Sequence, residues 1–160
     1  MDIVTVLKAD HRNVEQLFSQ IESSSDRALK TKERLFLEIK KELTIHMMAE
    51  EQILYPRMLG IPKLRQGSFE ATEVHRLVKQ MLDEVGELAC GSEQWNAKLK
   101  VVKDLVDHHV REEEGEAFKK LRTSLSSAVL NEMGASVVEI KSKKQPIPTN
   151  GDTRASMSFT

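Results

Sequence analysis

Apolar residues return every three or four positions along four long stretches of the chain, the spacing that gathers side chains onto one face of a helix. Val4, Leu7, His11, Val14, Phe18 and Ile21 form the first stripe, which stops where Ser23-Ser24-Ser25-Asp26 interrupts it. The second helix is predicted from about Asp26 to Met58, with Leu35, Ile39, Leu43, His46, Glu50 and Ile53 on one face. Pro56 and Pro62 then end or kink it. Gly67 and Ser68 precede a third stripe of Ala71, His75, Val78, Leu82, Val85 and Ala89, closed by Cys90-Gly91-Ser92. Ser92 is placed to cap the fourth helix, which carries Leu99, Val102, Val106, His109 and Glu113 and ends near Arg122.

A shorter fifth helix is predicted from about Ser126 to Ile140. The segment after Lys141 is polar and contains Pro146 and Pro148, a composition that predicts disorder. The expected organisation is therefore all-α. An up-down-up-down four-helix bundle over 1–124 is followed by a C-terminal helix over 125–141 and a disordered tail over 142–160.

The chain also repeats itself. HRNVEQLF at 11–18 matches HRLVKQML at 75–82, and HMMAEEQILY at 46–55 matches HVREEEGEAF at 109–118. Two related helical hairpins are implied. The repeated polar positions His11, His46, Glu50, His75, His109 and Glu113 all fall on stripes that otherwise face the core.

These six positions are also level with one another. Helices advance about 1.5 Å per residue. About 15 residues separate His11 from the first turn and about 20 lead back to His46; the second hairpin repeats this with about 16 and 18. Bundle axes lie about 8–10 Å apart, so inward side chains in one slab reach a common centre. A single histidine on an apolar face is ordinarily a satisfied core residue. Two buried carboxylates among apolar neighbours are another matter, because an unpaired buried charge costs several kcal/mol or must protonate. A cation at the centre supplies the compensation. Four imidazoles and two carboxylates exceed what one tetrahedral zinc takes, and the nitrogen content argues against calcium or magnesium. A mixed set with room for two ions suits a pair of irons. Ferritin-like bundles place Glu and His three apart in the order Glu-x-x-His; the order here is reversed, with a spacing of four.

Composition narrows the setting. Lys and Arg total 24 against 25 Asp and Glu, so no basic surface predicts nucleic-acid binding. One cysteine, Cys90, excludes an intramolecular disulfide and a cysteine-based zinc site. The start MDIVTVLKADHR has neither the basic nor the long apolar part of a signal peptide, and no stretch is long enough to span a bilayer. A cytoplasmic, reduced protein with no membrane partner is expected.

With these residues in hand, the sequence resembles the hemerythrin-like HHE cation-binding family. That family has His on the first helix, His-x-x-x-Glu on the second, His on the third and His-x-x-x-Glu on the fourth. The matching positions are His11, His46 with Glu50, His75, and His109 with Glu113, and the likeness covers about residues 3–122. It implies two iron ions in a non-haem centre, bridged by the glutamates and terminated by the histidines. Oxygen-carrying members have a further histidine one turn after the third-helix histidine, where this chain has Lys79, and Asp where it has Glu113. The likeness thus implies less saturated irons and reaction with oxygen, peroxide or nitric oxide, with catalase-like peroxide disproportionation first and a redox partner to match. Iron or oxygen sensing without turnover, and iron storage or delivery, are the alternatives.

Among the flanking residues, His108 is expected at the boundary of the stripe. Glu51 and Glu114 are expected on a solvated face, with a hydrogen bond to a neighbouring imidazole as the alternative, and Tyr55 and Phe118 in packing roles, Tyr55 within reach of the site's edge. Met47, Met48 and Met58 are expected as core filler, and Arg12 and Arg76 as partners of the acidic flanks. Cys90 receives no role.

Overall fold

A computed structural model describes residues 1–144. Helix α1 spans Ile3–Ser23 and α2 spans Leu29–Ala49. One wide π-helical turn, Glu50–Leu54, joins α2 to the short α3, Tyr55–Leu59. Helices α4, Pro62–Glu87, and α5, Glu93–Glu112, form the second hairpin. A second π turn, Glu113–Ala117, leads into α6, Phe118–Ser124, and α7 covers Ser127–Lys144. The result is a four-helix bundle, α1 on α2 and α4 on α5, with α7 laid across α1 and α2. No strand occurs among the described residues, and none of their helices is long and apolar enough to cross a membrane.

Local chemistry accounts for the helix ends. Asp2 caps α1 by accepting from Thr5 N at 2.9 Å, and Arg122 donates to the same carboxylate from the far end of the chain. The buried ammonium of Lys32 donates to Ser24 Oγ at 2.7 Å and reaches Ile21 O at 3.5 Å, supplying a donor to the carbonyl end of α1. Ser92 caps α5, accepting from Trp95 N at 3.1 Å, as its position in the sequence predicts. Gly91, at φ 78°, supplies the left-handed turn before it.

Three expected boundaries moved. Helix α4 begins at Pro62, ahead of Gly67 and Ser68, because proline in a first turn lacks only an amide that would have no helical partner. It ends at Glu87, so Ala89 lies exposed beyond the stripe. The second and fourth helices are each interrupted by a π turn that begins at a repeated glutamate. Pro56 follows only the first of these, so proline does not cause the widening; both turns share Glu-Glu at their start.

Each π turn changes which residues face inward. In the first, Tyr55 N–H bonds to Glu50 O, five residues back. The residue stacked beneath Glu50 is therefore Tyr55. Leu54 and Tyr55 become buried while Ile53, the position predicted by an uninterrupted α-helix, is only half-buried.

Helix α7 extends to Lys144, and the rest of the predicted tail, 145–160, lies outside the described residues. Where α7 crosses the start of α1, a Cβ on Gly134 would come within 2.3 Å of Met1 O, so the close approach depends on glycine. Two apolar clusters fill the bundle. One runs from Val14 to Val106 around Trp95, and the other from Ile3 to Val137 around Phe118 and Leu121. A slab of buried polar residues separates them.

Candidate metal centre

That slab contains His11, His46, Glu50, His75, His109 and Glu113, all buried, with Glu50 fully so. Each pair spaced four apart points its two groups the same way. His46 Nε2 lies 2.9 Å from Glu50 Oε1, and His109 Nε2 closes on Glu113 Oε1. Across the hairpins, His75 Nε2 lies 3.1 Å from Glu50 Oε2; within them, His75 Nε2 lies 3.1 Å from His109 Nε2 and His11 Nε2 lies 3.9 Å from Glu50 Oε1. The six side chains form two donor groups. Donor atoms of Glu50, His75, His109 and Glu113 lie within 4.8 Å of one another, and so do those of His11, His46 and Glu50. Glu50 belongs to both groups; Glu113 belongs to one.

The crowding lacks the partners that would make it stable alone. Both ring nitrogens of His11, Glu50 Oε1 and both oxygens of Glu113 are buried without an aligned hydrogen bond. Converging lone pairs in an apolar interior need a positive centre. The nitrogen-and-carboxylate donor set suits a transition metal, iron among them. The residues fit the cation.

The outward ring nitrogens meet carboxylates. Asp10 Oδ2 lies 3.0 Å from His46 Nδ1, Glu51 Oε2 3.4 Å from His75 Nδ1, and Glu114 Oε1 3.8 Å from His11 Nδ1. Each of these acids is held by a cation in turn: Asp10 by Lys141 of α7, Glu51 by Lys79 at 2.7 Å, and Glu114 by Arg12 at 2.7 Å. An Nδ1–H directed at a carboxylate leaves Nε2 as the lone-pair nitrogen facing the centre.

Electrostatics follow from burial and this crowding. Burial opposes the charged form of His46, but Glu50 and Asp10 outweigh it and push its pKa up to about 10. Burial likewise opposes protonation of His109, and Glu113 with Glu50 pushes it up to about 10. Burial acts to raise the Glu50 pKa, yet His46, His109 and His11 hold it well below the usual carboxylate range. Glu113 is raised by its own burial and by the charge of Glu50. Without metal, His46 and His109 therefore hold protons that a bound metal would displace.

Several flanking residues depart from expectation. Glu51 and Glu114 are half-buried rather than fully solvated, and each lies near an imidazole, His75 and His11 respectively, the alternative placement for these two residues. The Tyr55 hydroxyl is inside the centre, donating to Glu50 Oε2 at 2.9 Å and lying 2.9 Å from His75 Nε2 and 3.3 Å from His109 Nε2. Burial and the charges of Glu50 and Glu113 keep it protonated, with its pKa well above the ordinary phenol range. Phe118, its counterpart in the repeat, packs as expected, its ring stacked on His11 at 6.0 Å. Arg76 pairs with Glu73 rather than with an acid at the centre. His108 points outward, 63% exposed, beside Glu112. Met47 and Met58 are buried and Met48 is half-buried. Sequence reasoning overlooked Asp10, whose counterpart in the repeat is Val74, so no repetition marked it.

A bundle whose mid-height is filled by four imidazoles and two carboxylates is a metal-binding four-helix protein. Residues 2–121 match the model of the hemerythrin HHE cation binding domain. The chain belongs to that family. It is 30% identical over 148 residues to a protein named DNA nickase from Nostoc sp. (strain PCC 7120 / SAG 25.82 / UTEX 2576), an alignment covering 91% of this chain and 40% of that protein. The chain thus spans about two fifths of that relative's length. The fold also resembles the crystal structure of a hemerythrin HHE cation-binding-domain-containing protein from Mycobacterium kansasii. The TM-score is 0.76 at 22% identity, over 90% of this chain and 88% of the other.

Proposed function

We propose that the protein holds two iron ions and reacts with small oxidants, with peroxide disproportionation its first activity and oxygen and nitric oxide as related ligands. One observation carries this reading: Glu50 is shared by two donor groups, the arrangement a pair of ions requires. His75, His109 and Glu113 would complete one position, and His11 with His46 the other. Bound iron supplies electrons, singly or in pairs, to an oxidant held beside it.

The chain's own residues set the conditions. The His11, His46 and Glu50 group has three donors against four in the other group, so an ion there would have more coordination positions free for a small molecule. Tyr55 keeps its proton and donates it to Glu50, fixing that carboxylate's orientation. Lys79, which stands where oxygen carriers of the family have a further histidine, is committed to Glu51. The apolar clusters above and below keep the carboxylates Glu50 and Glu113 away from solvent. Disproportionation turns two peroxides into one dioxygen and two waters and needs no outside reductant. Defence against oxidative and nitrosative stress in the cytoplasm is the setting this reading implies, with a redox partner for chemistry other than disproportionation.

Metal analysis with peroxide assays tests it. Iron near two per chain and sustained oxygen release from peroxide are expected; a single zinc, or iron without reaction, overturns the reading.

One contact favours a second reading, sensing without turnover. Lys141 of α7 grips Asp10, which holds His46, so an outer helix is connected to a donor of the centre. Binding of iron or oxygen that changes α7 without any turnover would select it.

A further inference from the structure

A cavity of about 320 Å³ opens along the seam between α1 and α5. Its inner end is formed by His11, His46, His75 and His109, and neither Glu50, Glu113 nor Tyr55 lines it. The carboxylate side of the centre is thus closed and the imidazole side is open to this space. Val14, Phe18, Leu43, Met47, Val78 and Val106 form the apolar part of the walls, while the buried Asp10 lies beside His46 and further charged side chains, among them Arg12, Lys103 and Glu114, also line the space.

The size decides what the space is for. A water-sized molecule takes about 30 Å³. Hydrogen peroxide, dioxygen and nitric oxide are of that order, and a narrow path would admit them. A cavity of about 320 Å³ falls instead at the lower end of the range for organic ligands. An apolar wall holds no water tightly, so an apolar group displaces that water with a gain of roughly 25 cal/mol per Å² buried.

Charge at the mouth decides the class further. Arg12 is paired with Glu114, and Lys103 lies 3.3 Å from Asp107 and 3.4 Å from Glu22. Arg111, at the edge, is exposed to solvent. Arg12 and Lys103 are thus already neutralised by neighbouring acids, and the buried end offers imidazoles.

We infer that this cavity takes an uncharged organic hydroperoxide, its alkyl or aryl group between α1 and α5 and its peroxide end at the imidazoles. The inference rests on the reading of the centre as a pair of irons that meets peroxide. In the reaction the O–O bond breaks and ROOH, two protons and two electrons become ROH and water. A pair of iron(II) ions held by His11, His46, Glu50, His75, His109 and Glu113 would supply the two electrons, each becoming iron(III), and water at the mouth would supply the protons.

The test uses the iron-loaded full chain and two variants that fill the cavity, Val106→Phe and Val110→Phe, both at lining positions on α5, with iron content per chain as the control for loading. Calorimetric titration with 2-phenyl-2-propanol, the alcohol formed from cumene hydroperoxide, reports the cavity without any turnover. Saturable binding to the native protein, weakened at least about tenfold in both iron-replete variants, is the expected result. The ratio of the single-turnover rate with cumene hydroperoxide to that with hydrogen peroxide should fall by a similar factor. No saturable binding, or equal affinity in native protein and both variants, overturns the inference. Alcohol binding in a protein that reacts with no peroxide keeps the cavity's ligand class but overturns the peroxide chemistry, so the two failures are distinct.

Discussion

The hydroxyl of Tyr55 donates to Glu50 Oε2 at 2.9 Å from five residues further along the same chain segment, across a π turn. An α-helical turn stacks residues three and four apart, so this contact exists because the turn is one residue wide of α. The relationship joins a local backbone irregularity to the most buried carboxylate of the centre.

Tyr55→Phe keeps the ring and removes the hydroxyl. Glu50 Oε2 then loses its donor in a site that water does not reach. The metal-free protein should lose about 1–3 kcal/mol of stability in denaturant unfolding. Iron content should stay close to the native value, since the hydroxyl belongs to neither donor group, while the visible spectrum of the loaded protein shifts.

Glu50→Ala should cost more iron than Glu113→Ala, because Glu50 stands in both donor groups and Glu113 in one. His108→Ala should leave iron content unchanged, its side chain being on the outer surface. Metal analysis of the three variants checks the order. Equal loss from all three would undo the assignment of donors.

Asp10→Ala removes the carboxylate that sets the His46 ring, and iron affinity measured by chelator competition should fall about 10–100-fold. Lys141→Ala should have a smaller effect in the same direction, since it leaves the Asp10–His46 contact in place. An effect of Lys141→Ala with none from Asp10→Ala would break the proposed order of the chain.

Without metal, stability should depend on pH. His46 and His109 have folded pKa values raised from 6.5 to about 10, so their stabilising contribution is complete below about pH 6.5. It is lost progressively as pH rises through about 10. Glu50, whose pKa is lowered, contributes above the ordinary carboxylate range and loses that contribution in acid. Denaturant midpoints of the iron-free protein should therefore fall between neutral and alkaline pH. The loaded protein should vary less there, its imidazoles being held by metal rather than by protons.

Much of the centre was legible in the sequence because helices impose a simple rule on spacing. His46 with Glu50 and His109 with Glu113 had to share a face, and the repeat marked them as a set. The carboxylates beyond the rings were harder. Glu51 and Glu114 sit a quarter-turn from the donor glutamates, and their approach to His75 and His11 depends on how the helices pack against one another. Asp10 meets His46 across two helices, a contact that depends on how α1 and α2 are rotated against each other.

By itself the sequence determined an all-helical chain in two repeated hairpins, with six polar side chains on otherwise apolar stripes at one height. Periodicity and rise per residue are properties of the helix alone, so no tertiary information was needed for that. Only the folded structure decided that the helices widen at Glu50 and Glu113, that Tyr55 enters the centre while Phe118 does not, and that α7 reaches Asp10 through Lys141. These depend on sub-turn shifts and on packing between segments far apart in the chain, where a displacement of one residue changes which group faces the site.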